Sequence, residues 1–177
     1  MNKILVLYKS KYGATQKYAA WLEEALPCDV FPAEQYKKIH WESYDSIIFA
    51  SGIYAGGLAG FKILRVIAKN CTGKKCAVFC VGASPLDEKA LAEIKTRNLK
   101  ETLADFPVFY GRGAWDTSKM TCLDRILCGA LQKAVAKTAP GSREPWMEAL
   151  LCAGGKSCDW TDKAYLLPLI QYIKEES

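Results

Sequence analysis

Short apolar runs, each followed by a turn-rich loop and then by residues at helical spacing, constrain this chain more than anything else in its sequence. Residues 3–8 (Lys-Ile-Leu-Val-Leu-Tyr), 46–51 (Ser-Ile-Ile-Phe-Ala-Ser) and 75–81 (Lys-Cys-Ala-Val-Phe-Cys-Val) lack polar alternation, which suits strands buried on both faces. Residues 28–32, closed by Pro32, and 106–110 are two further strand candidates. Between them the period changes: Ala14, Tyr18, Leu22 and Ala25 recur at helical spacing, as do Phe61, Leu64, Ile67 and Ala68. Ser84, Pro85 and the following acids form a helix start, with Ser84 as cap and Pro85 at the first helical position. Five strands alternating with helices predict an α/β fold, a parallel sheet covered by helices on both faces.

Residues 115–160 interrupt this alternation. Thr121 with Asp124 reads as a capping signal, and Leu123, Leu127, Ala130, Leu131 and Ala134 form a stripe reaching about Lys137. Pro140-Gly141 breaks it, residues 146–151 suggest one more short helix, and Pro168 splits a last helical segment over 161–175. The reading is one domain over residues 1–177 with a helical insertion at 115–160.

Half of the residues are apolar, enough for a sizeable core. The uncharged stretch 46–61 carries four glycines and is too short for a spanning helix, and the apolar run near the N-terminus is too short for a secretory signal. The expected compartment is the cytoplasm. The net charge of +5 does not point to nucleic acid. Its distribution matters more: Lys3, Lys9, Lys11 and Lys17 precede the first acid, Glu23, so whatever the N-terminal segment binds is not expected to be cationic. The cysteines at 28, 71, 76, 80, 122, 128, 152 and 158 include no Cys-x-x-Cys and read as reduced, inert thiols rather than disulfides or a cluster. His40, the single histidine, reads as a packing or surface residue.

In an open parallel sheet, ligands bind beyond the carboxyl ends of the strands. Here those ends carry loops 9–15, 52–57 and 82–84, rich in hydroxyls and glycine and free of carboxylates. Ser10, Gly13 and Thr15 would set two hydroxyls and one tight turn at a helix N-terminus, an arrangement that receives phosphate or simply caps the helix. Gly-x4-Gly-Lys-Ser/Thr is absent, and Gly-x-Gly-x-x-Gly does not follow the first strand.

The segment Ser10-Lys-Tyr-Gly-Ala-Thr15 resembles the phosphate loop of flavodoxins, Thr/Ser-x-Thr-Gly-x-Thr, with Tyr12 departing from the usual hydroxyl. Residues 41–45 followed by 47–57 are similar to the third strand and second flavin loop of that family, and Cys158-Asp-Trp-Thr161 is a partial counterpart of its approach to the last helix. The resemblance extends to the branch containing menaquinone-dependent protoporphyrinogen dehydrogenase. It implies a flavodoxin-like three-layer sandwich with a five-stranded parallel sheet of order 2-1-3-4-5, a helical insertion before the last helix, and flavin mononucleotide (FMN) at the strand tips. On that reading Ser10, Lys11, Tyr12, Gly13, Ala14 and Thr15 hold phosphate. Ser51, Gly52, Ile53, Tyr54, Ala55, Gly56 and Gly57 border the ribityl chain and ring, and Val81, Gly82, Ala83 and Ser84 the pyrimidine side.

Tyr54 is then either a stacking face or a rim aromatic, and Trp115 either a second face or a core anchor of the insertion. No residue is nominated as acid, base or nucleophile, because the chemistry would be the flavin's. Basic residues near the phosphate would ease flavin reduction. The implied activity is electron transfer with a redox partner protein or a quinone. The alternatives are a quinone-linked oxidoreductase such as the protoporphyrinogen dehydrogenase, or a non-redox module that has lost the flavin. Arg125, Lys133 and Lys137 against Asp124 suit porphyrin carboxylates, a peripheral contact with anionic lipid, or a plain solvated face.

Overall fold

The computed structural model describes residues 3–54, 56–100, 103–154 and 156–175. Strand β1 (Ile4–Lys9) lies between β2 (Cys28–Pro32) and β3 (Ser46–Tyr54), in parallel register with Val6 opposite Val30 on one side and Ile48 on the other. Beyond β3 come β5 (Lys75–Gly82) and β6 (Val108–Arg112), also parallel. A two-residue strand, β4 (Gly57–Leu58), folds back antiparallel on the end of β3. The order β2-β1-β3-β5-β6 is the 2-1-3-4-5 arrangement that the resemblance implies, once β4 is set aside.

Alternation of side chains along the strands builds two cores. Ile4, Val6, Ile48, Ala50, Ala77 and Phe79 face α1 (Ala14–Ala25) and α6 (Leu167–Lys174), where Tyr18, Leu22, Leu169 and Ile173 close the layer. Leu5, Leu7, Ile47, Phe49, Val78 and Cys80 face α2 (Phe61–Asn70) and the segment after α3 (Glu88–Asn98), through Leu64, Ile67, Leu99 and Leu103. Leu5, Val6 and Leu7 have no exposed surface, which accounts for the unbroken apolar run.

Two expectations change. The helix α3 starts at Glu88, capped by Asp87, whose carboxylate accepts from the amides of Lys89 and Ala90 at 2.9 and 3.1 Å. Two amides reached by one carboxylate outcompete the Ser84 hydroxyl, and residues 84–86 stay in the loop. Cys71 and Cys76 form a disulfide instead of remaining thiols. The turn from α2 into β5 brings their Cα atoms to 6.4 Å, within bridging distance.

The insertion is helical, as expected. It contains β7 (Ala114–Trp115), α4 (Cys122–Ala136), α5 (Pro145–Ala153) and β8 (Cys158–Asp159), with β7 and β8 paired antiparallel so that its two ends are joined. Thr121 caps α4 as expected, yet Leu123, Leu127 and Leu131 are 67%, 58% and 44% exposed. The stripe faces outward because α4 meets the rest of the protein along another edge, through Asp124, Gln132 and buried Val135.

Buried Asn98, at the end of α3, ties the helix to the β3–β4 turn. Its Oδ1 accepts from the Leu58 amide at 3.0 Å, and its Nδ2 donates to the carbonyls of Gly56 and Ile94 at 3.1 and 2.8 Å. Asn98→Ala strands these groups away from water, and urea unfolding is expected to show a loss of about 1–3 kcal/mol.

Candidate functional site

The chain leaves β1 toward one face of the sheet and β3 toward the other, so their carboxyl tips part and open a crevice. At the tip of β1, Gly13 is the N-cap of α1 with φ +97°, a backbone setting that strains other residues. It supplies no side-chain cap, and the first turn of α1 has no acid. The first helical bond runs from the Lys17 amide to the Gly13 carbonyl at 2.9 Å, so the amides before it lack intrahelical acceptors. Ser10 Oγ accepts from the Gly13 amide at 3.1 Å and shapes the loop, while Thr15 is buried beneath it. Ser10, Lys11, Tyr12, Gly13, Ala14 and Thr15 thus come together around an uncapped helix N-terminus, which suits an anion.

The second loop lies beside it. The Tyr54 hydroxyl accepts from the Lys11 amide at 3.1 Å, and Tyr12 meets the Tyr54 ring edge-on at 6.1 Å. The Tyr54 ring rests on Gly52, where a Cβ would lie 2.7 Å from the hydroxyl oxygen; only glycine allows that approach. Ser51 is buried, and its hydroxyl donates to the Ala59 carbonyl at 2.8 Å, turned into the protein. Gly56 and Gly57 are held by Asn98 and β4, and Ala55 lies outside the described residues.

The third loop is fastened by β6. Tyr110 donates its hydroxyl to the Ser84 carbonyl at 2.6 Å, Arg112 Nε donates to the Ala83 carbonyl at 3.1 Å, and the Gly113 amide donates to the Gly82 carbonyl at 2.7 Å. Val81 belongs to the core, whereas Gly82, Ala83 and Ser84 join Ile53 and Gly56 in lining a cleft of about 1040 Å³. The opposite walls are Tyr110, Trp115, Trp160, α3 and the insertion, through Leu131 and Trp146. The volume lies just above the ~300–1,000 Å³ typical of small-molecule sites. Trp115 anchors the insertion through β7 and lines this cleft; its buried Nε1 has no hydrogen-bond partner among the described residues.

The electrostatics differ from those expected for an acid-free, lysine-rich site. The insertion sends Asp124 to the phosphate-type loop, where its carboxylate pairs with Lys11 and accepts from Tyr12, and from Thr121 at 2.9 Å. These contacts, Lys11 foremost, hold Asp124 down at about 2 and raise Lys11. Lys9 pairs with Glu34, and Lys17 with Asp159 at 2.9 Å. The expected free positive field is therefore largely answered within the chain, and the Tyr12 hydroxyl serves Asp124. Burial pushes the Tyr54 phenol up, keeping it protonated.

Sequence reasoning passed over Asn98, Tyr110, Arg112 and Asp124. The strand-tip argument that selected residues 81–84 applies equally to the end of the fifth strand and so points to Tyr110 and Arg112. Asp124 lies 113 residues from Lys11, and only its local capping role is readable.

Asp124 and Asp159 both fasten the insertion to the β1–α1 region, and both are depressed to about 2; for Asp159 the main cause is the Thr161 hydroxyl, with Lys17 adding to it. Their contribution is complete above the ordinary carboxylate pKa of ~3.9 and disappears as pH falls through it toward about 2. Fluorescence of Trp115, Trp146 and Trp160 should report loosening in that window. Asp124→Asn should shrink the step.

A family model described as a flavodoxin domain matches residues 5–139. An uncharacterized protein of Methanocaldococcus jannaschii is 36% identical over 86 residues, 47% of this chain and 56% of the relative, so the match spans little more than half of that protein's length. Among solved structures, the Trp repressor binding protein of Bacillus subtilis aligns at 19% identity and TM-score 0.46, covering 62% of this chain and 84% of the other. A flavoprotein from Lactobacillus acidophilus, solved in complex with FMN, aligns at 18% and 0.41, covering 63% and 93%. A WrbA-like flavodoxin from Agrobacterium tumefaciens aligns at 17% and 0.41, covering 71% and 88%. With residues 5–139, most of its length, matched by the family model, the chain belongs to the flavodoxin domain family.

Proposed function

We propose that this protein is a redox protein that binds FMN, as one flavodoxin-like domain with its insertion beside the flavin. The supporting observation is the uncapped N-terminus of α1, at the point where the strand order reverses. The α1 amides, Ser10 and Thr15 would hold the phosphate. Residues 51–57 and 81–84 would border the ribityl chain and ring, the cleft side being Ile53, Gly56 and 82–84. The flavin, when bound, supplies reversible electron transfer, and the protein sets its position and surroundings. Trp115 Nε1 would find in a ring or substrate oxygen the acceptor it lacks.

The size of the cleft favours a second reading alongside carriage between proteins. Trp115, Trp146 and Trp160 wall it, and its lining carries Lys89, Arg97 and Lys100 together with Asp87, Glu93 and Glu144. The aromatic walls suit a planar substrate next to the ring, as in a menaquinone-linked protoporphyrinogen dehydrogenase or another quinone-linked oxidoreductase. Turnover of protoporphyrinogen with menaquinone, above the rate of free flavin, separates this enzyme from a carrier.

Purified protein incubated with FMN should retain the visible flavin absorbance through desalting. A colourless product that ignores added FMN would support a module without redox function. Ser10→Ala with Thr15→Val should weaken FMN by about a hundredfold, from two charge-assisted bonds at roughly 1.5 kcal/mol each, and leave riboflavin unaffected. Unchanged FMN affinity would move the phosphate elsewhere. Asp124→Asn removes the acid competing for Lys11 and should tighten FMN, but not riboflavin, with a gain that salt reduces.

A further inference from the structure

We propose that the outward face of α4 docks on an anionic lipid surface. The inner edge of this helix is occupied. Asp124 reaches Lys11 and Tyr12, Gln132 donates to the Leu150 carbonyl at 3.1 Å, Val135 is buried, and Leu131 lines the cleft. Its outer edge is an apolar stripe: Leu123, Ile126 and Leu127 are 67%, 68% and 58% exposed, and exposed Ala130 and Ala134 continue the same face. Exposure of consecutive large aliphatic side chains on one helix is uncommon without a partner.

Charge selects the partner. Asp124 is the acid of α4, and it is turned inward against Lys11, so the outer side presents only cations. Lys133 and Lys137 flank the stripe, are exposed and form no ion pair among the described residues, while Lys119 before the helix pairs with Asp116 at 3.5 Å. Aliphatic side chains in the centre with lysines at the edges suit a helix lying in the headgroup region, its apolar face among acyl chains and its cations on lipid phosphates. A second copy fits less well, because a two-fold contact over this stripe would bring like-charged lysines together. A protein partner is also less favoured: the stripe has no aromatic anchor of the kind that dominates protein interfaces. No helix among the described residues is long and apolar enough to cross a membrane, so the contact is with the surface.

The test is co-sedimentation of the 177-residue chain with phosphatidylglycerol–phosphatidylcholine vesicles and with phosphatidylcholine alone. Binding to the mixed vesicles should be at least about tenfold stronger and should weaken with salt. Ile126→Ser with Leu127→Ser should reduce binding to background, and Lys133→Glu with Lys137→Glu should abolish the preference for anionic lipid. Both variants should keep the wild-type circular dichroism and melting profile. Leu86→Ser, at an exposed apolar residue elsewhere, should bind as wild type. Equal binding to both vesicles, none to either, or an equal loss in Leu86→Ser would overturn the proposal. So would a dimer in sedimentation equilibrium that the Ile126/Leu127 variant dissolves, which would assign the face to a second copy.

Discussion

The site depends on the burial of β1 on both faces. Ile4, Leu5, Val6 and Leu7 are sealed by α1 and α6 on one side and by the α2–α3 side on the other. A strand buried in this way cannot slip by one residue without exchanging its two sets of side chains between cores of different shape. Its register with β2 and β3 fixes where its tip ends. Lys9, opposite Ser51, is the last paired residue, and the chain must turn at Ser10 into a helix whose first turn is uncapped. The uncapped amides at residues 10–15 are thus a consequence of the core beneath them.

The remaining loops are held by cross-links of a different kind. Asn98 secures the second from α3, while Tyr110 and Arg112 secure the third from β6. These are hydrogen bonds from side chains to loop carbonyls, which fix backbone position, and Tyr110 is at the same time a wall of the cleft. The insertion adds a wall to the cleft and a carboxylate to the loop. Its attachment by β7 and β8 at its ends, and by Asp124 in its middle, relies on few contacts with the sheet.

What could be read in advance was whatever depends on local periodicity. The strands, the α1 and α2 helices, the Thr121 cap and the split at Pro168 follow from patterns a few residues long, and the structure contains them. Burial direction was less legible. The α4 stripe has the spacing of a core-facing helix, but spacing says only that one face is apolar, not that anything covers it. The Cys71–Cys76 bridge depends on how α2 turns into β5, and the switch from Ser84 to Asp87 on a competition between two adequate caps. Of the nominated residues, Ile53, Gly56 and 82–84 share the cleft and 10–15 form the loop, whereas Ser51 and Val81 are turned into the protein.

The pairing of the N-terminal lysines changes how an anion would be held. An excess of cations ahead of Glu23 suggested recognition by side-chain charge, with easier flavin reduction as a consequence. Lys9, Lys11 and Lys17 each face a carboxylate, two of which come from the insertion. Their fields are largely cancelled a short distance away, which leaves the aligned amides of α1 as the main attraction for phosphate. Backbone dipoles point in a fixed direction and fall off within about one turn, so they favour an anion seated at Gly13 far more than one elsewhere on the surface. With the flavin bound as proposed, they would act on its phosphate rather than on its ring. The ring's electrostatics would then be set by the cleft, where uncharged aromatic walls and Trp115 Nε1 stand opposite the mixed charges of α3, Lys89 and Arg97 against Asp87 and Glu93.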